Sequence, residues 1–151
     1  MKSSHPTGLH YFRRNPHPKK ENHGDCGVRA ICLALDFNYN RVWSAATDSK
    51  RREQGYYYYD QYGNMKDRKV TATWSLSRKE LEGTLRSLRV WNWSYTKLPK
   101  DTKFVKGNFP DYCIAHLNRH WVAIKDGAIW DTWDSRGKRL KEIKGYFSPV
   151  S

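Results

Sequence analysis

A chain of 151 residues is long enough for one domain that buries roughly 68–70% of its unfolded surface. Its aromatic content of 15%, with seven Trp and ten Tyr, points to a core of large rings and excludes disorder throughout. The formal net charge of +13 and the sequence pI of about 9.8 favour nucleic acid, acidic proteins or anionic surfaces as partners, without choosing among them.

No run approaches the roughly 18 apolar residues of a membrane span, and the first residues lack the apolar core of a secretory signal. The chain therefore reads as soluble, cytoplasmic and without a membrane partner. Its three cysteines, Cys26, Cys32 and Cys113, are odd in number and lack paired spacing, which argues against a disulfide framework and leaves at least one free thiol. The Cys26 and Cys32 spacing is not that of a zinc ribbon, and His116-x-x-x-His120 lacks the glutamate of a zincin helix. No metal or other cofactor is expected.

In chain order, residues 1–21 are rich in His, Pro, Lys and Arg without a sustained apolar period, and read as a basic arm that packs late or stays mobile. Residues 22–151 read as one domain. Within DCGVRAICLALDF, Ala30, Ile31, Ala34 and Leu35 recur at helical spacing, and Asp25 is placed to cap the helix. A shorter helix is expected over NYNRVWSAATD, burying Val42, Trp43 and Ala46. Residues 49–75 turn basic and tyrosine-rich and read as a long surface excursion.

Ser77 and Glu80 form a capping-box pattern, with Leu76 and Leu81 as its hydrophobic staple, and Leu81, Leu85 and Leu88 continue one apolar face. The segments VWNWSY, YCIAHL, HWVAIKD and AIWDTW are short and β-prone, the last two joined by Asp126-Gly127. Helices followed by antiparallel strands make an α+β domain.

Cys26 stands at the expected start of a helix, where unpaired backbone N–H groups and the helix dipole favour a thiolate. Gly24 and Gly27 flank it and leave room for a substrate backbone, and the Cys26 N–H is placed to face a developing oxyanion. Cys32 and Cys113, in mid-helix and in a strand, fit the role of small buried apolar residues better.

A thiolate nucleophile needs a base, held in turn by a third group. With Asp126 and Gly127 as the turn, Lys125 opposes Ala128, Val122 opposes Asp131 and His120 opposes Trp133. That register makes His120 and Asp131 diagonal neighbours on one face, with Trp133 beside the imidazole and shielding the pair from water. Asp134 has the opposite parity and points away. His116, the rival base, has no carboxylate placed by a simple register.

The pattern of NHGDCGVRAICLAL followed by HWVAIKDGAIWDTWDS resembles papain-like cysteine peptidases, and in particular small papain-like proteins of bacteriophages and related mobile elements. The resemblance covers roughly residues 22–49 and 112–135. It implies a papain-like fold, with N-terminal helices, the nucleophile at the start of the first, packed on a C-terminal antiparallel sheet. It also implies a peptidase or isopeptidase acting on a protein or peptide substrate, with Cys26 as nucleophile, His120 as general base and acid, and Asp131 orienting the histidine. Many papain-like enzymes carry an oxyanion-binding glutamine six residues before the cysteine. Here that position is Lys20, and Asn22 is the nearest side-chain amide, with His23 next.

Lys50, Arg51 and Arg52, followed by Tyr56, Tyr57 and further tyrosines, combine cations with rings of the kind that stack on bases. The alternative function is therefore a nucleic-acid-binding or virion interaction protein on an inactive scaffold. The stretch RGKRLKEIKG reads as a charged exposed face.

Overall fold

The computed structural model describes residues 3–21, 24–67 and 76–150. Helix α1 (Cys26–Leu35) forms on the expected helical period, but nearly all of it is buried, Arg29 included, so it lies inside the domain rather than on its surface. Asp25 occupies its N-cap position without capping it. The Asp25 carboxylate instead accepts from the Tyr39 hydroxyl and pairs with Arg29 at 3.2 Å. In a buried setting a guanidinium one turn ahead outcompetes an N-cap bond for the carboxylate.

Helix α2 (Tyr39–Gln54) opens on Asn38, whose side chain accepts from the backbone N–H groups of Asn40 and Arg41. It runs past the expected end because Ser49 and Lys50 are buried, and the Ser49 hydroxyl donates to the Glu80 carbonyl of the next helix at 2.6 Å. The expected excursion thus begins only at Gly55. Its first part is a short ribbon, β2 (Tyr57–Tyr59) paired antiparallel with β3 (Met65–Asp67), exposed at every residue. Helix α3 (Arg78–Ser87) carries the complete capping box: Glu80 N–H donates to Ser77 Oγ at 3.1 Å, and Ser77 N–H to Glu80 Oε1 at 2.9 Å. Among the described residues no helix is long and apolar enough to cross a membrane.

Among the described residues, three helices accompany a six-stranded sheet in an α+β arrangement. Its strands are β1 (His10–Arg13), β4 (Trp93–Lys97), β5 (Cys113–Leu117), β6 (His120–Lys125), β7 (Ala128–Asp131) and β8 (Gly145–Pro149), in the order β1-β7-β6-β5-β8-β4. The β6–β7 register pairs Lys125 with Ala128 and Ala123 with Trp130. The turn between them has positive φ at both Asp126 (52°) and Gly127 (75°), as a two-residue hairpin requires. Strand alternation divides the core in two. Ile114, Trp121, Ala123 and Phe147 pack under the helices, while Ala115, Val122, Ile124 and Ile129 pack with Leu9, Phe104, Phe109 and Ile143 on the opposite face.

One sequence expectation is corrected by this sheet. It is mixed rather than purely antiparallel, because β1 joins β7 in parallel, pairing His10 with Ala128 and Arg13 with Asp131. The basic arm packs into this sheet. It supplies the edge strand and a wholly buried Leu9, and Thr7 and His5 bond into the same end of the molecule. An edge strand held by main-chain bonds, such as His10 N–H to the Gly127 carbonyl at 3.1 Å, needs no apolar period of its own. The C-terminal basic stretch exposes Lys138, Arg139 and Lys144, while Ile143 within it is fully buried and leads directly into β8.

If Leu9 anchors this strand, Leu9→Ala should lower unfolding free energy by about 2–5 kcal/mol in urea denaturation. A loss within about 0.5 kcal/mol would return residues 1–21 to the status of a loose arm.

Candidate active site

Helix α1 and strand β6 pack against each other and bring the Cys26 thiol, the His120 ring and the backbone N–H of Trp121 close enough for the ring and the N–H both to favour the thiolate. Trp121 fixes the height of that contact. Its indole is buried in the helix-side core, donates Nε1–H to the Leu76 carbonyl at 2.8 Å, and stacks on His116 with ring centroids 3.9 Å apart.

On its other side the His120 ring bonds through Nε2 to Asp131 Oδ2 at 2.7 Å. The side chains of His120 and Asp131 are 12% and 4% exposed, so water contributes little to solvating either. The second carboxylate oxygen, Oδ1, accepts the Thr132 N–H at 2.7 Å. Strand β1 holds the peptide of the same residue, with Arg14 N–H donating to the Asp131 carbonyl at 2.9 Å and the Tyr11 hydroxyl reaching it at 3.5 Å. Trp133 stands beside the imidazole, centroids 5.1 Å apart, with its outer face under Lys141 Nζ at 5.0 Å.

Burial opposes charge on both partners of the sulfur–imidazole contact, yet both favour it. For Cys26, the bond and charge of His120, then the Trp121 N–H and the Arg29 guanidinium, outweigh desolvation and hold the thiol below its ordinary value. For His120, desolvation is outweighed by the bonds to Asp131 and Cys26 and by their charges, which lift the imidazole to about 9. Each partner therefore favours the charged form of the other. The other thiols differ in kind: burial, with Asp25 near Cys32 and Asp111 near Cys113, pushes each up to about 12.

The remaining residues singled out by sequence fall as follows. Asp134 turns away and binds Arg136 at 2.7 Å. His116 is held by the Tyr95 hydroxyl at 3.0 Å, and burial, with Lys144 and Arg78 nearby, drives its ring down to about 4. Gly24 is exposed with φ of 68° two residues before the sulfur. Gly27 is corrected from substrate contact to packing: it is buried, and a Cβ there would meet Leu76 Cδ1 at 2.7 Å. Asn22 and His23 lie outside the described residues. Lys20 is exposed and donates its Nζ to the Asn15 carbonyl at 2.9 Å. Lys50 is also corrected, since at 6% exposure it presents no charge to a nucleic acid. Arg51 lies over the Tyr56 ring at 5.2 Å, Arg52 binds Ser87, and Tyr57 is 58% exposed.

Sequence reasoning missed two contributors. Arg29, buried beside Cys26, was legible only as an i,i+4 partner of Asp25. The β1 residues that hold Asp131 carried no motif. No protein-family model, no curated protein and no solved structure matches the chain.

The ultraviolet thiolate absorbance lost in Cys26→Ala should titrate below the ordinary thiol value of 9.0 in the wild-type protein. In His120→Ala only the Trp121 N–H and Arg29 are left to oppose burial, and the same step should move upward; an unmoved step would contradict the coupling.

Proposed function

We propose that the protein is a cysteine-dependent acyl-transfer hydrolase with a papain-like arrangement, acting on peptide or isopeptide bonds through Cys26, His120 and Asp131. The observation that carries this reading is the 2.7 Å bond of His120 Nε2 to Asp131 Oδ2, with the same ring close enough to Cys26 to favour its thiolate. A nucleophile, a base and an orienting carboxylate joined in that order are the elements of covalent acyl transfer.

In the first half-reaction the Cys26 thiolate attacks the carbonyl carbon, and the oxygen takes up negative charge facing the Cys26 N–H at the start of α1. As the C–N bond breaks, the His120 imidazolium gives its proton to the departing amine, leaving a thioester on Cys26 and a neutral ring. In the second, His120 takes a proton from water, the hydroxide attacks the thioester carbon, and the thiolate leaves. Asp131 keeps Nε2 protonated throughout, so the ring exchanges protons from its sulfur-facing side. Carboxamide hydrolysis and transfer to a second amine share the first half-reaction.

The reading fixes the sign of the pH dependence. As pH falls, Cys26 regains its proton and the nucleophile is lost; as pH rises through about 9, His120 loses the proton that the amine needs. Hydrolysis of a pool of blocked peptide p-nitroanilides should therefore be bell-shaped in pH and vanish in Cys26→Ala. Asp131→Asn removes the charge that raises His120, so the alkaline limb should move to lower pH and the maximal rate fall by about 10²-fold or more. An alkaline limb unmoved by that substitution would count against the assigned role.

A further inference from the structure

Beside His120 and Trp133 opens a cleft of about 740 Å³ whose other walls include Arg119, Lys141, Glu142 and Lys144. A second hollow of about 380 Å³ shares Glu142 and Lys144 with it and continues past Lys97 and Lys100 to Arg78 and Tyr95. The two together present six cationic side chains and a single acid. That acid is already engaged, since Glu142 Oε2 accepts the Asp101 N–H at 2.5 Å. Two of the cations lie over rings rather than over carboxylates, Arg78 on Tyr95 and Lys141 on Trp133, each at 5.0 Å. The depressed basicity of His116, to which Lys144 and Arg78 contribute after burial, reports the positive field within the groove.

We propose that this groove is the leaving-group subsite of the active site and binds acidic peptide, with Asp and Glu residues on the C-terminal side of the scissile bond seated against Lys141, Lys144 and Arg119. The inference rests on the acyl-transfer reading. His120 returns its proton to the departing amine, so the chain attached to that amine leaves across His120 and Trp133 into the cleft that they wall. A concave surface lined by one sign of charge concentrates a ligand of the opposite sign and orients it. A polynucleotide would satisfy the same charges but offers no acyl carbon to Cys26, whereas an acidic peptide satisfies both.

The test is alkylation of Cys26 by iodoacetamide, followed by peptide mapping, in the full chain and in Lys141→Glu/Lys144→Glu. The competitors are a blocked decapeptide of alternating Asp and Glu, a blocked lysine decapeptide, and a single-stranded DNA oligonucleotide of matched charge. In the wild-type protein the acidic peptide should slow labelling saturably and the lysine peptide should not. With each protein's labelling scaled to its own rate without peptide, the double variant should need about tenfold more acidic peptide for the same protection. Arg119→Glu, at an exposed turn, provides a second reversal if the double variant folds poorly. Absence of protection, protection unaffected by charge reversal, or stronger protection by the oligonucleotide would overturn the proposal. If Cys26 shows no labelling preference over Cys32 and Cys113, the acyl-transfer reading itself fails. Fluorescence anisotropy of the labelled acidic peptide then reads the groove alone: a wild-type affinity lost on charge reversal retains an acidic-peptide site, and equal affinities remove it.

Discussion

Bringing the Asp131 carboxylate beside the His120 ring withdraws both groups from water, and that cost is offset only if the ring is charged and correctly aimed. The 2.7 Å bond to Nε2 does the aiming, and the carboxylate's charge favours the imidazolium. A charged His120 in turn allows a sulfur as buried as Cys26 to ionise. Without a fixed Asp131 the ring would lose its orientation and the larger share of its elevated basicity, and Cys26 would lose much of what sets it apart from a core thiol like Cys32.

The fold can be understood as the means of fixing those three residues. Helix α1 is buried along nearly its whole length, which sets the position of its first residue against the start of β6. The β6–β7 hairpin sets His120 and Asp131 by register. Strand β1 then closes the open edge of β7 and takes up the Asp131 carbonyl through Arg14 N–H. The N-terminal residues thereby belong to the apparatus that holds the carboxylate, and the sequence distance between them and the site is spanned by ordinary parallel pairing. Beneath Cys26, the Asp25–Arg29–Tyr39 cluster places a cation near the sulfur while satisfying its charge with a neighbouring carboxylate.

What was legible in the sequence was what depends on short-range rules. The Asp126-Gly127 turn and the period of two around it place His120 and Asp131 on one face, and the Ser77/Glu80 capping box marks the start of α3, because turn and cap chemistry act over a few residues. What escaped was decided by tertiary contacts. His10–Arg13 has no alternation of its own and becomes a strand only because β7 offers an unpaired edge. The polar stretch after Asp48 stays helical because Ser49 finds the Glu80 carbonyl across α3. Asp25 has the composition of a cap but answers to a buried guanidinium, and Gly27 makes room for Leu76 rather than for a substrate. The Lys50 side chain, legible as surface charge, is drawn inward by the packing of α2 on α3.

Activation of Cys26 by His120 is measured most directly by the site and rate of carboxamidomethylation at neutral pH without any ligand. Peptide mapping after brief iodoacetamide treatment should find Cys26 modified ahead of Cys32 and Cys113, and His120→Ala should slow that modification by about tenfold or more. Faster labelling of Cys32 or Cys113, or Cys26 labelling unchanged by His120→Ala, would contradict it.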